Sequence, residues 1–408
     1  MVPEGWKIKS LGEICDGNLQ TGPFGSQLHA NEYTASGTPV LMPKDFVDGK
    51  VNLSGAAKIS HNRASDLSKH KLQTGDLLFS RRGDVTRFAL ITEDVAGALC
   101  GTGCLRARPS SKHTPLFLAY FLQKNAVQKW LEQNAVGQTM PNMNTAILSE
   151  LPLMVSTNTA EEEEIARILS TWDKAIETVE KLIENSQAQK KALMQQLLTG
   201  KRRLPGFDGR WKETAIKNMG KIISGGTPDT NTNEFWKGDI LWMTPTDVTA
   251  LKSRFISDTK RKITKSGVEN SSATLLPKGS LLVCTRATVG LMSISTSEIT
   301  TNQGFKSIIP NAKHDVNFLY YLFNFFKNKF ISYACGSTFL EISKKDFSKL
   351  YFICPSLAEQ ERIASIFSIS DKEIHTLQQK LDCLKQEKKA LMQQLLTGKR
   401  RVKVDADG

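Results

Sequence analysis

Cysteine is sparse and unpatterned. There are seven in 408 residues, with no Cys-x-x-Cys. Cys15, Cys100, Cys104, Cys284, Cys335, Cys354 and Cys383 are scattered, and the Cys100/Cys104 pair lacks a histidine at zinc-site spacing. The six histidines are isolated. A disulfide scaffold and a zinc module are both excluded, and reduced thiols inside a cell are the better reading. Long apolar runs are missing as well. The longest, Leu319 to Phe326, is broken by Asn324 and is too short to cross a bilayer. Met1-Val-Pro-Glu-Gly-Trp6 has neither the basic nor the apolar region of a signal peptide. The expected location is cytoplasmic.

Catalytic motifs are absent too. Thr199-Gly-Lys-Arg lacks the upstream glycine of a Walker loop and follows a helix rather than a strand. No Gly-x-Gly-x-x-Gly, His-Glu-x-x-His or Gly-x-Ser-x-Gly occurs. The Asn- or Asp-Pro-Pro-aromatic mark of an amino-methyltransferase is missing. Pro228-Asp229 with Glu234 and Lys237 has the wrong Glu-x-Lys spacing for a nuclease and is read as a loop. No catalytic residue and no metal ligand is assigned to this chain.

What is present is positive charge and a duplication. Net charge is +13, on a composition that is 40% hydrophobic and 23% charged. That balance suits folded domains with a polyanionic partner, nucleic acid before membrane. The fourteen-residue stretch from Lys190, Lys-Lys-Ala-Leu-Met-Gln-Gln-Leu-Leu-Thr-Gly-Lys-Arg-Arg, recurs without a substitution from Lys388 to Arg401. A repeat of this period denotes a duplicated domain. Each copy ends a helical run, Glu161 to Leu198 and Ala358 to Leu396. Gly200 and Gly398 stand where a left-handed C-terminal cap places glycine.

The two runs carry a heptad stripe: Ile165, Leu169, Trp172, Ile176, Val179, Ile183, Leu193 and Leu197, then Ile363, Phe367, Ile374, Leu377, Leu381, Leu384, Leu391 and Leu395. Each helix would span roughly 57 Å, against about 40 Å for a 150-residue domain. The short linker after the first helix makes the second return antiparallel. The fold class expected is therefore α+β, with two globular domains separated by two long antiparallel coiled-coil helices and related by a pseudo-twofold axis. The expected boundaries are 1–155 and 204–355 for the domains, 156–203 and 356–401 for the helices, and 402–408 for a tail.

Within the first domain, Val40-Leu-Met42, Asp76-Leu-Leu-Phe79 and Phe88-Ala-Leu-Ile91 read as strands, and Leu116 to Leu131 as one helix. The second domain keeps the anchors. Trp6 matches Trp211, Pro43 and Asp45 match Pro245 and Asp247, Arg82 matches Arg286, and Gly137-x-Thr139 matches Gly336-x-Thr338. Ser80-Arg81-Arg82-Gly83-Asp84 and Thr285-Arg286-Ala287-Thr288 both leave a strand for a turn. An arginine there contacts phosphate, reads guanine through its fork, or pairs with a nearby aspartate, and all three readings stay open. A basic strip, Lys252, Arg254, Lys260, Arg261, Lys262 and Lys265, has a counterpart in Lys58, His61, Arg63, Lys69, His70 and Lys71. The loops Thr21-Gly-Pro-Phe-Gly-Ser26 and Ser224-Gly-Gly-Thr-Pro228 can approach a backbone closely, and ordinary tight turns also account for them. The candidate DNA-binding residues are Phe24, Gly25, Ser26, Lys44, Arg63, Arg81, Arg82 and Thr139 in the first half. In the second they are Thr227, Thr246, Lys260, Arg261, Lys262, Lys265, Arg286 and Thr338.

These features, above all the duplicated Lys-Ala-Leu-Met-Gln-Gln-Leu-Leu-Thr-Gly-Lys-Arg-Arg, resemble the specificity subunit of type I restriction–modification enzymes over essentially the whole chain. The resemblance implies two target recognition domains, each reading half of a bipartite site in double-stranded DNA. It implies docking of two modification subunits, which methylate adenine with S-adenosylmethionine, and of two restriction subunits, which use ATP and Mg. No cofactor is implied in this chain. The second domain departs from the first at Thr285 for Arg81 and at its glycine loop. A coiled-coil adaptor that binds proteins and a stand-alone nuclease are the rival readings.

The stripe and the resemblance together make the helices a ruler. Four residues inserted near Ser186 add about 6 Å of helix and keep the apolar face nearly in place. Methylome sequencing should find the same half-sites one or two base pairs further apart; an unchanged gap would end the ruler idea.

Overall fold

The computed structural model describes residues 2–137, 140–334 and 341–403. The chain divides into two compact units. Met1–Val179 with Lys380–Gly408 forms the first, and Glu180–Gln379 the second. Both cuts fall inside the long helices, Thr159–Leu197 and Leu357–Leu395. Each unit thus owns the beginning of one long helix and the end of the other.

The two units share one strand plan. In unit 1 an antiparallel sheet runs in the order Leu19–Thr21, Cys104–Ala107, Leu77–Ser80, Phe88–Leu90. In unit 2 the order is Gly220–Ser224, Phe305–Pro310, Leu281–Cys284, Met292–Ser295, with Phe255–Ile256 added parallel at the edge. A second sheet packs beside each. It holds Thr38–Leu41 between Leu99–Cys100 and Ala57–Ile59 in unit 1. In unit 2 it holds Trp236–Met243 between Thr300–Thr301 and Arg261–Ile263. A terminal ribbon completes each unit, Trp6–Ser10 on Pro152–Ser156 and Lys212–Ala215 on Tyr351–Cys354. Pro43 and Pro245 each open a turn in which the buried Asp45 or Asp247 carboxylate accepts the N–H three residues back, at 2.9 and 2.8 Å. The capping geometry explains why both aspartates recur.

The helix expected over Leu116 to Leu131 is broken. Pro115–Leu122 and Asn125–Asn134 are separate helices. Lys124 leaves the helical path and reaches the Leu396 carbonyl at 3.4 Å, its ammonium over the Phe121 ring. A carbonyl at a helix end has no partner within the helix, and Lys124 supplies one.

The duplicated stretch makes the same contacts in each unit. Lys388 pairs with Asp173 at 2.6 Å over the Tyr120 ring, and Lys190 pairs with Asp371 over the Tyr321 ring. Tyr120 and Tyr321 each donate a hydroxyl to the same aspartate, at 2.5 Å. Burial, then this bond, pushes both phenols up from their ordinary range. Arg401 makes its pair with the buried Glu161, and Arg203 with the buried Glu359. Leu395 and Leu396 join the core of Ile165 and Leu169, and Leu197 and Leu198 join that of Ile363 and Phe367. In both units the opening turns of one long helix therefore lie against the closing turns of the other. Gly398 and Gly200 take φ of +63° and +69°, and a Cβ would meet Trp6 at 3.1 Å or Trp211 at 3.6 Å. The left-handed cap expected of both glycines is the one observed. An α+β chain with two long helices is borne out.

Asp371 carries one partner more than Asp173, because Arg254 Nη1 also donates to it at 3.1 Å. Asp371→Ala is expected to lower stability by about 2–3 kcal/mol, and Asp173→Ala by about 1–2. Calorimetry on the two variants checks the order, and equal losses would mean that the Arg254–Asp371 contact adds nothing to stability.

Candidate nucleic-acid interface

Each unit builds the same junction where its central strands end. In unit 1 the Arg81 N–H donates to the Gly103 carbonyl at 2.8 Å, and Met143 N–H donates to the Arg81 carbonyl at 2.8 Å. In unit 2, Thr285 and Gly304 repeat the first bond, and Ile342 and Thr285 the second, at 2.8 and 2.9 Å. Arg82 bridges to Asn142, and Arg286 to Glu341. The loop that follows the strand is thus pinned on both sides, and the arginine leaves from a fixed backbone.

Around the first junction the structure gathers Phe24, Arg81 and Arg82. The Arg81 guanidinium lies 5.7 Å from the Phe24 ring centre, and Phe24 is 54% exposed. Arg81 Nε is buried without a hydrogen-bond partner among the described residues. Lys44 adjoins through Pro43, which lies 3.2 Å from a Cβ position on Gly103, and its ammonium meets Asp45 at 2.7 Å. Arg87 reaches the Pro43 carbonyl at 3.4 Å. Sequence reasoning passed over Arg87 and the exposed Val136 and Met140; no motif singles them out. Gly25 and Ser26 lie exposed in the same loop. Arg63 is held elsewhere, by Glu32 at 2.5 Å, Asp66 at 3.4 Å and the Gln27 carbonyl at 2.6 Å.

The second junction gathers more. Thr227 donates to Gln303, the neighbour of Gly304. A Cβ on Gly304 would stand 3.7 Å from both Pro245 and Arg286, and Thr246 follows Pro245. Asp247 in that turn accepts the Lys260 N–H at 3.1 Å. Arg261 stacks 3.7 Å from the Trp236 centre and 4.9 Å from that of Trp242. Trp242 Nε1 in turn donates to the Gly226 carbonyl at 2.9 Å. Thr227, Thr246, Lys260, Arg261 and Arg286 are therefore one connected patch. Gln303, Trp236 and Trp242 were missed, since no motif in the sequence marks them. Lys262 and Lys265 carry acidic neighbours, Asp258 at 3.1 Å and Glu269 at 3.7 Å. Arg286 meets Glu341 at 3.8 Å. Thr139 and Thr338 lie outside the described residues.

The close backbone approach expected of the glycine loops occurs within the fold, and the expectation for Arg254 needs correction. Gly22, Gly225 and Gly226 are required by the protein's own backbone. A Cβ there would stand 1.8 Å from the Gly101 carbonyl oxygen, 1.8 Å from that of Asn302 and 2.3 Å from the Ser272 carbonyl carbon. Close approach inside the fold, not toward a ligand, selects them. Arg254 does not belong to a surface strip, since Tyr321, Ser368 and Asp371 take its guanidinium. Asp229 caps a turn through Asn231 and Thr232, as the loop reading had it.

Burial pushes the thiols of Cys15, Cys100 and Cys354 up to about 12 and that of Cys284 up to about 11, so they stay protonated at neutral pH. No described helix is long and apolar enough to cross a membrane.

The pattern of the type I restriction modification DNA specificity domain matches the chain twice, over residues 3–185 and 209–386. A putative type I restriction enzyme MjaX specificity subunit from Methanocaldococcus jannaschii is 26% identical over 98% of this chain and 95% of its own length. The MjaIX specificity subunit of the same organism is 37% identical over 166 residues, 40% of this chain and 38% of that relative. Among solved structures, the type I restriction-modification S subunit from M. genitalium has a TM-score of 0.62 at 16% identity, covering 97% of this chain and 99% of that one. The HsdS subunit from Thermoanaerobacter tengcongensis has a TM-score of 0.52 at 19% identity, covering 98% of each.

Among the described residues, no carboxylate pairs with Arg82 or Lys260. Lys260→Ala should weaken binding to all duplexes alike and reduce the salt slope by about one unit. Arg82→Ala should cost about 1–3 kcal/mol on the preferred sequence alone if the fork meets a base. A salt titration on preferred and random duplexes distinguishes them; equal losses for Arg82→Ala would make it a phosphate contact.

Proposed function

This chain belongs to the type I restriction modification DNA specificity family, and from that premise we propose that it is the DNA-recognition subunit of a type I restriction–modification complex. Each unit reads one half of a bipartite site. The observation that carries this is the repeated junction: two family domains hold an arginine at the same strand end by the same backbone bonds. The differences fall on the loops around it, as suits two readers of two sequences. The chain itself performs no chemistry in this reading. Two modification subunits would methylate adenine with S-adenosylmethionine. Two restriction subunits would use ATP and Mg to translocate and cut. The complex would work in the cytoplasm. The adaptor and the nuclease alternatives find no support in the relatives.

Each half is a reader ending in the same fourteen residues. Replacing residues 1–190 by the corresponding half of another member should change one half-site and leave the other. Methylome sequencing of cells carrying the chimaera with the modification subunit decides it. A change in both half-sites would rule out independent readers.

A further inference from the structure

We propose that Arg261, braced on Trp236 and Trp242, reads a guanine through its guanidinium fork and fixes one base pair of the half-site taken by unit 2. The inference rests on the recognition reading above and assigns a base contact within it.

The charges on this patch are not equivalent. Lys262, Lys265 and Arg286 each face a carboxylate. Among the described residues none pairs with Arg261, which is exposed. A phosphate contact needs only a mobile cation, and Lys260 next to it already provides one. Arg261 differs in lying over aromatic faces. The two tryptophan rings stand 5.0 Å apart at 85°, and the guanidinium lies 3.7 Å from the centre of one of them. The rings are themselves anchored. Trp236 Nε1 donates to the Asp229 carbonyl and Trp242 Nε1 to that of Gly226, each at 2.9 Å. Thr259 closes the frame by accepting from the Trp242 N–H at 3.2 Å and donating to the Arg261 carbonyl at 2.7 Å.

An arginine stacked on an aromatic face keeps its edge N–H groups free and forfeits little rotamer freedom on binding. That edge matches two acceptors side by side, and guanine alone offers O6 and N7 so placed in the major groove. The brace also sits in the patch already described, between the glycine loop that carries Thr227 and the turn that carries Thr246.

The other unit lacks it. Val40 pairs with Ala57 and with Leu99, as Trp242 pairs with Arg261 and with Thr300. The register thus puts Val40 in the place of Trp242 and Ala57 in the place of Arg261. Where the two frames coincide strand for strand, this pair of positions departs from apolar packing to a braced cation. Packing alone is met by valine and alanine at the same places.

The test compares methylated-site lists for the complete modification complex carrying wild type, Arg261→Lys, Trp236→Phe or Trp236→Leu. Arg261→Lys keeps the charge and loses the fork. It should admit other bases at one G·C pair of one half-site, with discrimination there reduced about tenfold or more and the salt slope unchanged. Trp236→Phe, which preserves a stacking face, should keep the wild-type list, whereas Trp236→Leu should relax the same base pair as Arg261→Lys. An unchanged list for Arg261→Lys, or a uniform loss at all sites, overturns the base contact. Absence of any bipartite preference in the wild-type complex would instead overturn the recognition reading, and the wild-type list alone reveals that.

Discussion

A carboxylate on the opening turns of each long helix holds the basic closing stretch of the other, and both units depend on that clasp. Glu161 and Glu359 are 1% exposed. Such carboxylates are tolerable only when paired and hydrogen-bonded. Arg401 and Arg203 supply the pair, Ser156 and Trp211 the further bonds. About three turns further along each helix, Asp173 and Asp371 repeat the arrangement with Lys388 and Lys190. The residues involved come from stretches far apart in sequence, so the clasp forms only when the helix start, the helix end and the terminal ribbon of a unit are assembled together. The fourteen-residue stretch makes these contacts in the same way in both units. Its lysine, its paired leucines, its glycine and its final arginine each have an assigned partner.

On that common base the two units diverge at their reading patches. Unit 1 offers Phe24, Arg81 and Arg82 around its junction. Unit 2 has the buried Thr285 where Arg81 stands, and draws its cations from the edge of the second sheet. Unit 2 also ties the edge of its first sheet inward, because Arg254 joins Tyr321, Ser368 and Asp371 just before the strand Phe255–Ile256. The frame is conserved by hydrogen bonds of the backbone, which are indifferent to side chains. The patch is made of side chains at the rim, where a change alters what is read without disturbing the fold.

The sequence by itself determined the duplication, the two long helices, their glycine caps and the matched anchors Pro43/Asp45 and Pro245/Asp247. These are local matters: periodicity, capping and turn chemistry are written in neighbouring residues. The family resemblance was legible for the same reason, since identical stretches need no geometry to be seen. Only the tertiary structure decided which cations face solvent unpaired. Arg63, Arg254, Lys260 and Arg261 look alike in basic runs, yet the first two are taken by partners within their units and the last two are offered outward, because the partners Glu32 and Asp371 lie far off in the chain. The same holds for the glycines, whose close approach is to Gly101, Asn302 and Ser272. It holds for Lys124, which stands between two helices and reaches a carbonyl near the other end of the sequence, and for Trp236 and Trp242, whose faces carry Arg261. Each depends on a contact that no local pattern encodes.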